Sequence, residues 1–184
     1  MGGASSISPQ FTSKKGDEVE LVPPAMTKHL VIQKIIATLQ AELETYTRAA
    51  KASHAEATAE ENRAENKYDT RGLEASYLAA GQANKIVELE ESIAAFEALK
   101  ERKFGEAEGI DVGALIEISQ DGEHAHYFIG PSAGGTEVTC DKHEVLVITP
   151  QSPLGSQLQN RKQGDQLKLT LAGETQQVDL INVC

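Results

Sequence analysis

The chain has 184 residues, room for one ordinary domain and an extension, and its 17 basic against 28 acidic residues leave a formal charge of −11. That balance argues against unaided binding to a phosphate backbone, so an action on nucleic acid would pass through a protein partner. No apolar run approaches the roughly 20 residues that span a bilayer, and no charged-then-apolar secretory pattern opens the sequence. The two cysteines, Cys140 and Cys184, form neither a CxxC motif nor a disulfide framework, which makes a reducing cytoplasm the expected compartment.

Residues 1–25 have neither helical nor strand periodicity and end in Pro23-Pro24. They read as a disordered leader of the kind an expression vector adds, with Met26 as the natural start. A short pairing segment over Val19–Val22 is the structural alternative.

From Thr27 the pattern changes. Ile32, Ile36, Leu39, Leu43, Tyr46, Ala50, Ser53 and Ala57 follow at alternating steps of four and three, a heptad seam with polar residues outside it. Tyr68, Gly72, Ala75, Ala79, Gln82, Ile86, Leu89, Ile93 and Phe96 repeat the spacing in mirror order, small residues first and large ones last. Two seams that taper toward one turn predict an antiparallel helical hairpin over residues 26–100, monomeric rather than a dimerisation coiled coil. Its first arm, about 31 residues at 1.5 Å each, would be roughly 45 Å long. The elbow from Ala59 to Leu78 concentrates Glu60, Glu61, Glu65, Asp69 and Glu74 against Arg63, Lys67 and Arg71. Unaided, such an acidic elbow is most simply a solvated turn.

Residues 101–184 form a second unit. Lys100–Gly113 is a charged connection, after which Ala114–Ser119 and Ala125–Ile129 flank Asp121-Gly122, a strong hairpin signal. Glu144–Thr149 reads as a third strand, and Gln166–Leu171 with Gln176–Val183 as a hairpin around Ala172-Gly173. Ser152 caps a short helix that Pro153 opens. The expected class is α+β: a helical hairpin followed by a small antiparallel β domain with one short helix.

Within that domain Tyr127-Phe128-Ile129-Gly130, then Thr149-Pro150-Gln151-Ser152-Pro153-Leu154-Gly155, then Lys162-Gln163-Gly164-Asp165 stand in the order Y-x-I-G, S-P-L-G, K-x-G-D. In these motifs, and in the hairpin before them, the chain resembles the bacterial GreA/GreB transcript-cleavage factors from Met26 onward. The resemblance implies an FKBP-like fold for the β domain and a transcription elongation factor that binds RNA polymerase at its secondary channel. Such a factor is not an enzyme itself. It stimulates the polymerase's own RNA cleavage in backtracked complexes, and it meets nucleic acid only through the polymerase, in the bacterial cytoplasm. The implied docking residues are Ser152, Pro153 and Leu154, with Gln151 beside them.

The family's tip motif is D-x-x-E-N with a Tyr close behind. Glu65-Asn66 and Tyr68 match it, while its Asp position falls on Asn62. The implied tip residues are Glu61, Glu65, Asn66 and Asp69. Glu61 and Glu65, four apart on one helical face, are the pair expected to offer oxygens to Mg²⁺ shared with the polymerase active site. No cofactor of the protein's own is expected. Two alternatives stand beside this reading: a channel-occupying regulator without cleavage stimulation, and a structural coiled-coil adaptor.

His124 and His126 alternate on a predicted strand, with Cys140, Asp141 and His143 near in sequence, but no closed ligand spacing marks a metal site. They read as exposed polar residues. Ser152 as a nucleophile is set aside because capping accounts for it, and prolyl isomerase activity because it would rest on fold analogy alone.

Overall fold

The computed structural model describes residues 26–58, 71–99, 102–105, 108–120, 122–171 and 174–184. The leader 1–25 and the elbow residues Glu60, Glu61, Asn62, Glu65, Asn66, Tyr68 and Asp69 lie outside the described residues.

Two helices open the structure, α1 (Lys28–Thr58) and α2 (Arg71–Glu97). Val31, Ile32, Ile35 and Leu39 near the start of α1 are buried with Leu89, Ile93 and Phe96 near the end of α2, so the helices pair antiparallel. The expected seam packs, with Ile36, Leu43, Ala50 and Ser53 partly buried and, among its described residues, Tyr46 turning outward; Val31 and Ile35, each one position ahead of it, are fully buried as well.

Strands β1 (Leu115–Gln120), β2 (Glu123–Ile129), β3 (Glu137–Cys140), β4 (His143–Ile148), β5 (Gln166–Leu171) and β6 (Glu174–Val183) follow, with α3 (Pro153–Leu158) between β4 and β5. They form one sheet in the order β3-β4-β2-β1-β6-β5. The α+β class therefore holds, with a sheet that is mixed: β2 and β4 run parallel, His126 beside Val145 and Phe128 beside Val147. The cause is β3, which sequence reading leaves out. The chain leaves β2, runs down the sheet edge as β3, and returns as β4 between the two. The β3–β4 turn has positive φ at both central residues, Asp141 (47°) and Lys142 (70°). Such turns normally advertise themselves with Asn-Gly or Asp-Gly, and this one does not.

Strand alternation gives the sheet two apolar faces. Ile116, Ile118, Ile129, Ile148, Leu167, Leu169, Val178 and Leu180 pack with Leu154 and Leu158 of α3 and with Phe104 and Ile110 of the connection. On the other face Leu115, Phe128, Val138, Cys140, Val145 and Val147 pack under the root of the hairpin. At roughly 1.5–3 kcal/mol for each fully buried large apolar side chain, this second face joins hairpin and sheet into one body. A bulge where β6 meets β1 skips Ile181, which explains why that residue is exposed.

At the junction the Phe96 and Phe128 ring centroids are 6.1 Å apart, within the range of favourable aromatic pairs. Gly130 makes that approach possible: a Cβ there would lie 2.9 Å from Phe96 Cζ and 2.8 Å from both Val147 Cγ1 and the Ser132 carbonyl oxygen. A second tie crosses the connection. Lys28 and Arg102 both lie over the Phe104 ring, at 4.7 and 4.9 Å from its centroid, and Lys28 Nζ donates to the Arg102 carbonyl. Arg102 also pairs with Glu108 and Asp111, and its hydrogen bond holds the Glu108 carboxyl below the usual range.

Glycine substitutions test this packing. Gly130→Ala is expected to cost about 1–3 kcal/mol by overpacking the junction. Gly81→Ala, on the exposed side of α2 with nothing within 4 Å of the new Cβ, is expected to gain about 0.5–1 kcal/mol of helix stability. Denaturant unfolding of the two variants should move in opposite directions; a neutral Gly130→Ala would mean the junction is loosely packed.

Candidate docking segment and surrounding site

The S-P-L-G segment is built by backbone economy. Ser152 sits in extended geometry (φ −66°, ψ 154°) as the N-cap of α3, its Oγ accepting from the Gly155 N–H at 3.0 Å and donating to the Thr149 carbonyl at 2.8 Å. Pro153 takes the first helical position, where its missing N–H costs nothing. Gly155 is required by space: a Cβ there would lie 2.0 Å from the Thr149 oxygen. The far end of α3 is tied to the connection, Asn160 N–H donating to the Ile110 carbonyl and Ile110 N–H to that of Arg161.

Of the three implied docking residues, Pro153 is exposed and Ser152 partly so. Leu154 is only 7% exposed and packs in the core beneath α3, so it anchors the segment from inside. The surface on offer is Pro153 flanked by Gln151 and Ser156, all exposed. Gln157, which sequence reading missed, fixes the helix sideways. Its carboxamide accepts from the Thr170 N–H at 2.9 Å and donates to the Thr170 carbonyl at 3.2 Å, occupying part of the free edge of β5. A lone Gln in a short helix gives no sequence signal for such a role.

The K-x-G-D residues are also accounted for locally. Gly164 has φ +87°, Asp165 accepts from the Lys162 N–H at 2.9 Å, and Asp165 N–H donates to the Lys162 carbonyl. That is a tight turn with glycine where positive φ is needed.

On the hairpin side of the sheet, by strand alternation with Leu115, Phe128 and Val145, lie Glu117, His124, His126 and His143. His124 Nδ1 is 2.8 Å from Glu117 Oε1, His126 Nε2 is 4.0 Å from the same oxygen, and the His126 and His143 rings are 4.8 Å apart. Among the described residues no three His, Cys, Asp or Glu side chains are grouped to hold a metal ion. His124, Asp141 and His143 are exposed as expected, whereas His126 and Cys140 are buried, Cys140 in the apolar cluster under the hairpin root. Its burial pushes the imidazole pKa down, opposed by the Glu117 carboxylate and reinforced by His143 and His124. Cys140 and Cys184 are both free, and burial pushes both thiols up, away from reactivity.

Among the described residues no helix is long and apolar enough to cross a membrane. No protein-family model matches the chain, and no curated protein matches it. Among solved structures it is similar to GreA factor homolog 1 (Gfh1) of Thermus thermophilus, at 20% identity over 81% of this chain and 94% of that one, with a TM-score of 0.35. A second Gfh1 structure matches at 19% over 82% and 93%, with a TM-score of 0.34. Gfh1 of Thermus aquaticus matches at 20% over 80% and 92%, with a TM-score of 0.36.

Two outcomes follow from the site. Ser152→Ala should cost about 1 kcal/mol, the loss of one N-cap, and Ser152→Asp should lose much less; an unchanged midpoint for Ser152→Ala in urea titrations would show the cap to be dispensable. Because folded His126 lies below its ordinary value of 6.5, the unfolded chain takes up the proton first as pH falls. Stability from this group is thus fully present above pH 6.5 and is lost as pH drops through that value toward the folded pKa. His126→Gln should flatten the midpoint-against-pH curve below that point.

Proposed function

We propose that the chain is a Gre-like transcription factor that acts through RNA polymerase, docking by its β domain and presenting the hairpin elbow toward the polymerase active site. The observation that carries this reading is the arm itself. The last residue of α1 packed against the core is Leu43, and α1 continues to Thr58, so about 15 residues, or roughly 22 Å of helix, run on beyond it. A helix that only covered a sheet would stop where the cover ends. This one carries on to an elbow whose sequence is rich in carboxylates.

Carboxylate oxygens suit a hard cation such as Mg²⁺, which dehydrates reluctantly and is bound by few protein ligands. In this reading Glu65 and Glu61 add charge beside an ion that the polymerase already holds, and Asn66 and Asp69 complete the tip. The protein has no reaction of its own; hydrolysis of backtracked RNA belongs to the partner.

A second reading has one observation in its favour. Asn62 stands where the resembled family has Asp, and an amide offers a neutral oxygen in place of a charge. The protein would then occupy the channel and stimulate cleavage weakly.

The test is RNA cleavage in a backtracked elongation complex, with polymerase affinity measured alongside. Asn62→Asp should raise cleavage severalfold at unchanged affinity, and Glu65→Ala should abolish what wild type supports. Pro153→Glu, a change on an exposed position that tolerates an acidic residue in the first turn, should weaken polymerase binding without unfolding the protein. Cleavage by wild type at the rate of an intact-motif factor, indifferent to Glu65→Ala, would leave the elbow without a chemical role.

A further inference from the structure

A sheet edge is where a strand leaves hydrogen-bonding groups unused, and this sheet ends in β3 on one side and β5 on the other. β3 has four residues, β5 six. On β5, Thr170 turns both of its backbone groups off the sheet. Its N–H donates to the Gln157 carboxamide oxygen at 2.9 Å, and its carbonyl accepts from the Gln157 carboxamide nitrogen at 3.2 Å. A carboxamide is chemically a peptide group, so Gln157 makes here the two bonds that a residue of a further antiparallel strand would make.

Alternation along β5 directs the N–H and carbonyl of Lys168 and of Gln166 the same way as those of Thr170. Among the described residues these groups find no partner off the sheet. Beside Lys168 there is space. A cleft of about 260 Å³ opens between β5 and the end of α3, lined by Ser156, Gln157, Gln159, Asn160 and Arg161 on one side and by Lys168 with its two neighbours on the other. The edge is therefore filled at one rung and open at the next two.

Charge at this edge runs against that of the chain. The protein carries a formal −11, yet no carboxylate lines the cleft. Arg161 and Lys168 are exposed and, among the described residues, in no ion pair.

We propose that the β5 edge is a strand-addition site that takes an extended, acidic segment of a partner protein, paired at Lys168 and Gln166 as a seventh strand. The inference goes beyond the polymerase reading and does not depend on it. In such pairing the main-chain bonds give affinity and the flanking side chains give the choice of sequence. Leu167 and Leu169 turn into the core on the α3 side, so Lys168 presents its side chain on the opposite face, where an acidic residue directly across from it is favoured. Arg161, lining the cleft, adds to the attraction. An edge lysine ordinarily discourages further strands. That repulsion acts on a basic strand and on a second β5, since two such edges running antiparallel bring like charges together; an acidic guest converts it into attraction. A phosphate backbone has no donor for the Lys168 carbonyl.

The test is titration of the full-length protein into two blocked, fluorescently labelled peptides, one alternating glutamate with valine and the other lysine with valine, followed by anisotropy. The glutamate peptide should bind about tenfold more tightly than the lysine peptide, and its affinity should fall as salt rises. N-methylation of its glutamates removes the guest's donors and keeps its charge, and should weaken binding about tenfold. Lys168→Pro removes the outward N–H without removing a bond to β6 and should have the same effect, whereas Lys168→Thr keeps the N–H and should lose only a few fold. Binding that N-methylation leaves unchanged overturns the proposal, as does equal binding of the two peptides or binding of neither, and none of these results bears on polymerase affinity. A wild-type dimer in light scattering that Lys168→Pro dissociates would give the edge to a second copy of the chain and overturn the proposal equally.

Discussion

Everything in this structure hangs on the contact of Phe96 with Phe128 beneath the root of the hairpin. A six-stranded sheet with two apolar faces needs cover on both, and α3 with its connection covers only one. The hairpin root supplies the other cover, and Gly130 lets it come close enough to do so. The consequence is leverage. On an arm of roughly 45 Å, each degree of tilt at the root moves the far end by about 0.8 Å. A tightly packed aromatic junction, braced by Lys28 and Arg102 on the Phe104 ring, is what gives such an arm a defined direction.

The residues that carry the family resemblance turn out to be the residues the backbone needs. Gly130 is demanded by the Phe96–Phe128 approach, Ser152 and Pro153 by the start of α3, Gly155 by the Thr149 carbonyl, and Gly164 with Asp165 by a turn. Each has a local physical account that requires no partner. The motifs therefore speak for the fold, and function has to be sought on side chains that the fold leaves undetermined: Pro153 with its exposed neighbours, and the elbow.

That division also explains what the sequence made legible. The heptad seam was readable because its large residues recur at fixed steps, and Ile32, Leu39, Leu89, Ile93 and Phe96 do pack where the spacing puts them. Five strands showed through alternation. The sixth, β3, has four residues and a turn of Asp141-Lys142 with no glycine, so neither length nor turn chemistry announced it. The parallel pairing of β2 with β4 then followed from the missed strand. The docking motif does not say which of its side chains face outward, whereas Leu154, an apolar residue one turn from buried Leu158 on a short helix, belongs to the core. His126 has the sequence look of its neighbour His124 because alternation gives the face and not the cross-strand neighbours, here the His143 ring and Glu117, that crowd it.

Charge completes the account. The exposed side of α2 carries Glu88, Glu90, Glu91 and Glu97 near the sheet, with Lys85 offsetting one of them. Like charges at helical spacing repel by a few tenths of a kcal/mol per pair, so within the folded chain this clustering is a small net cost, and salt relieves it only in part. An acidic flank of this kind keeps a protein off bare nucleic acid and steers it toward a basic protein surface, raising the encounter rate more than the final affinity.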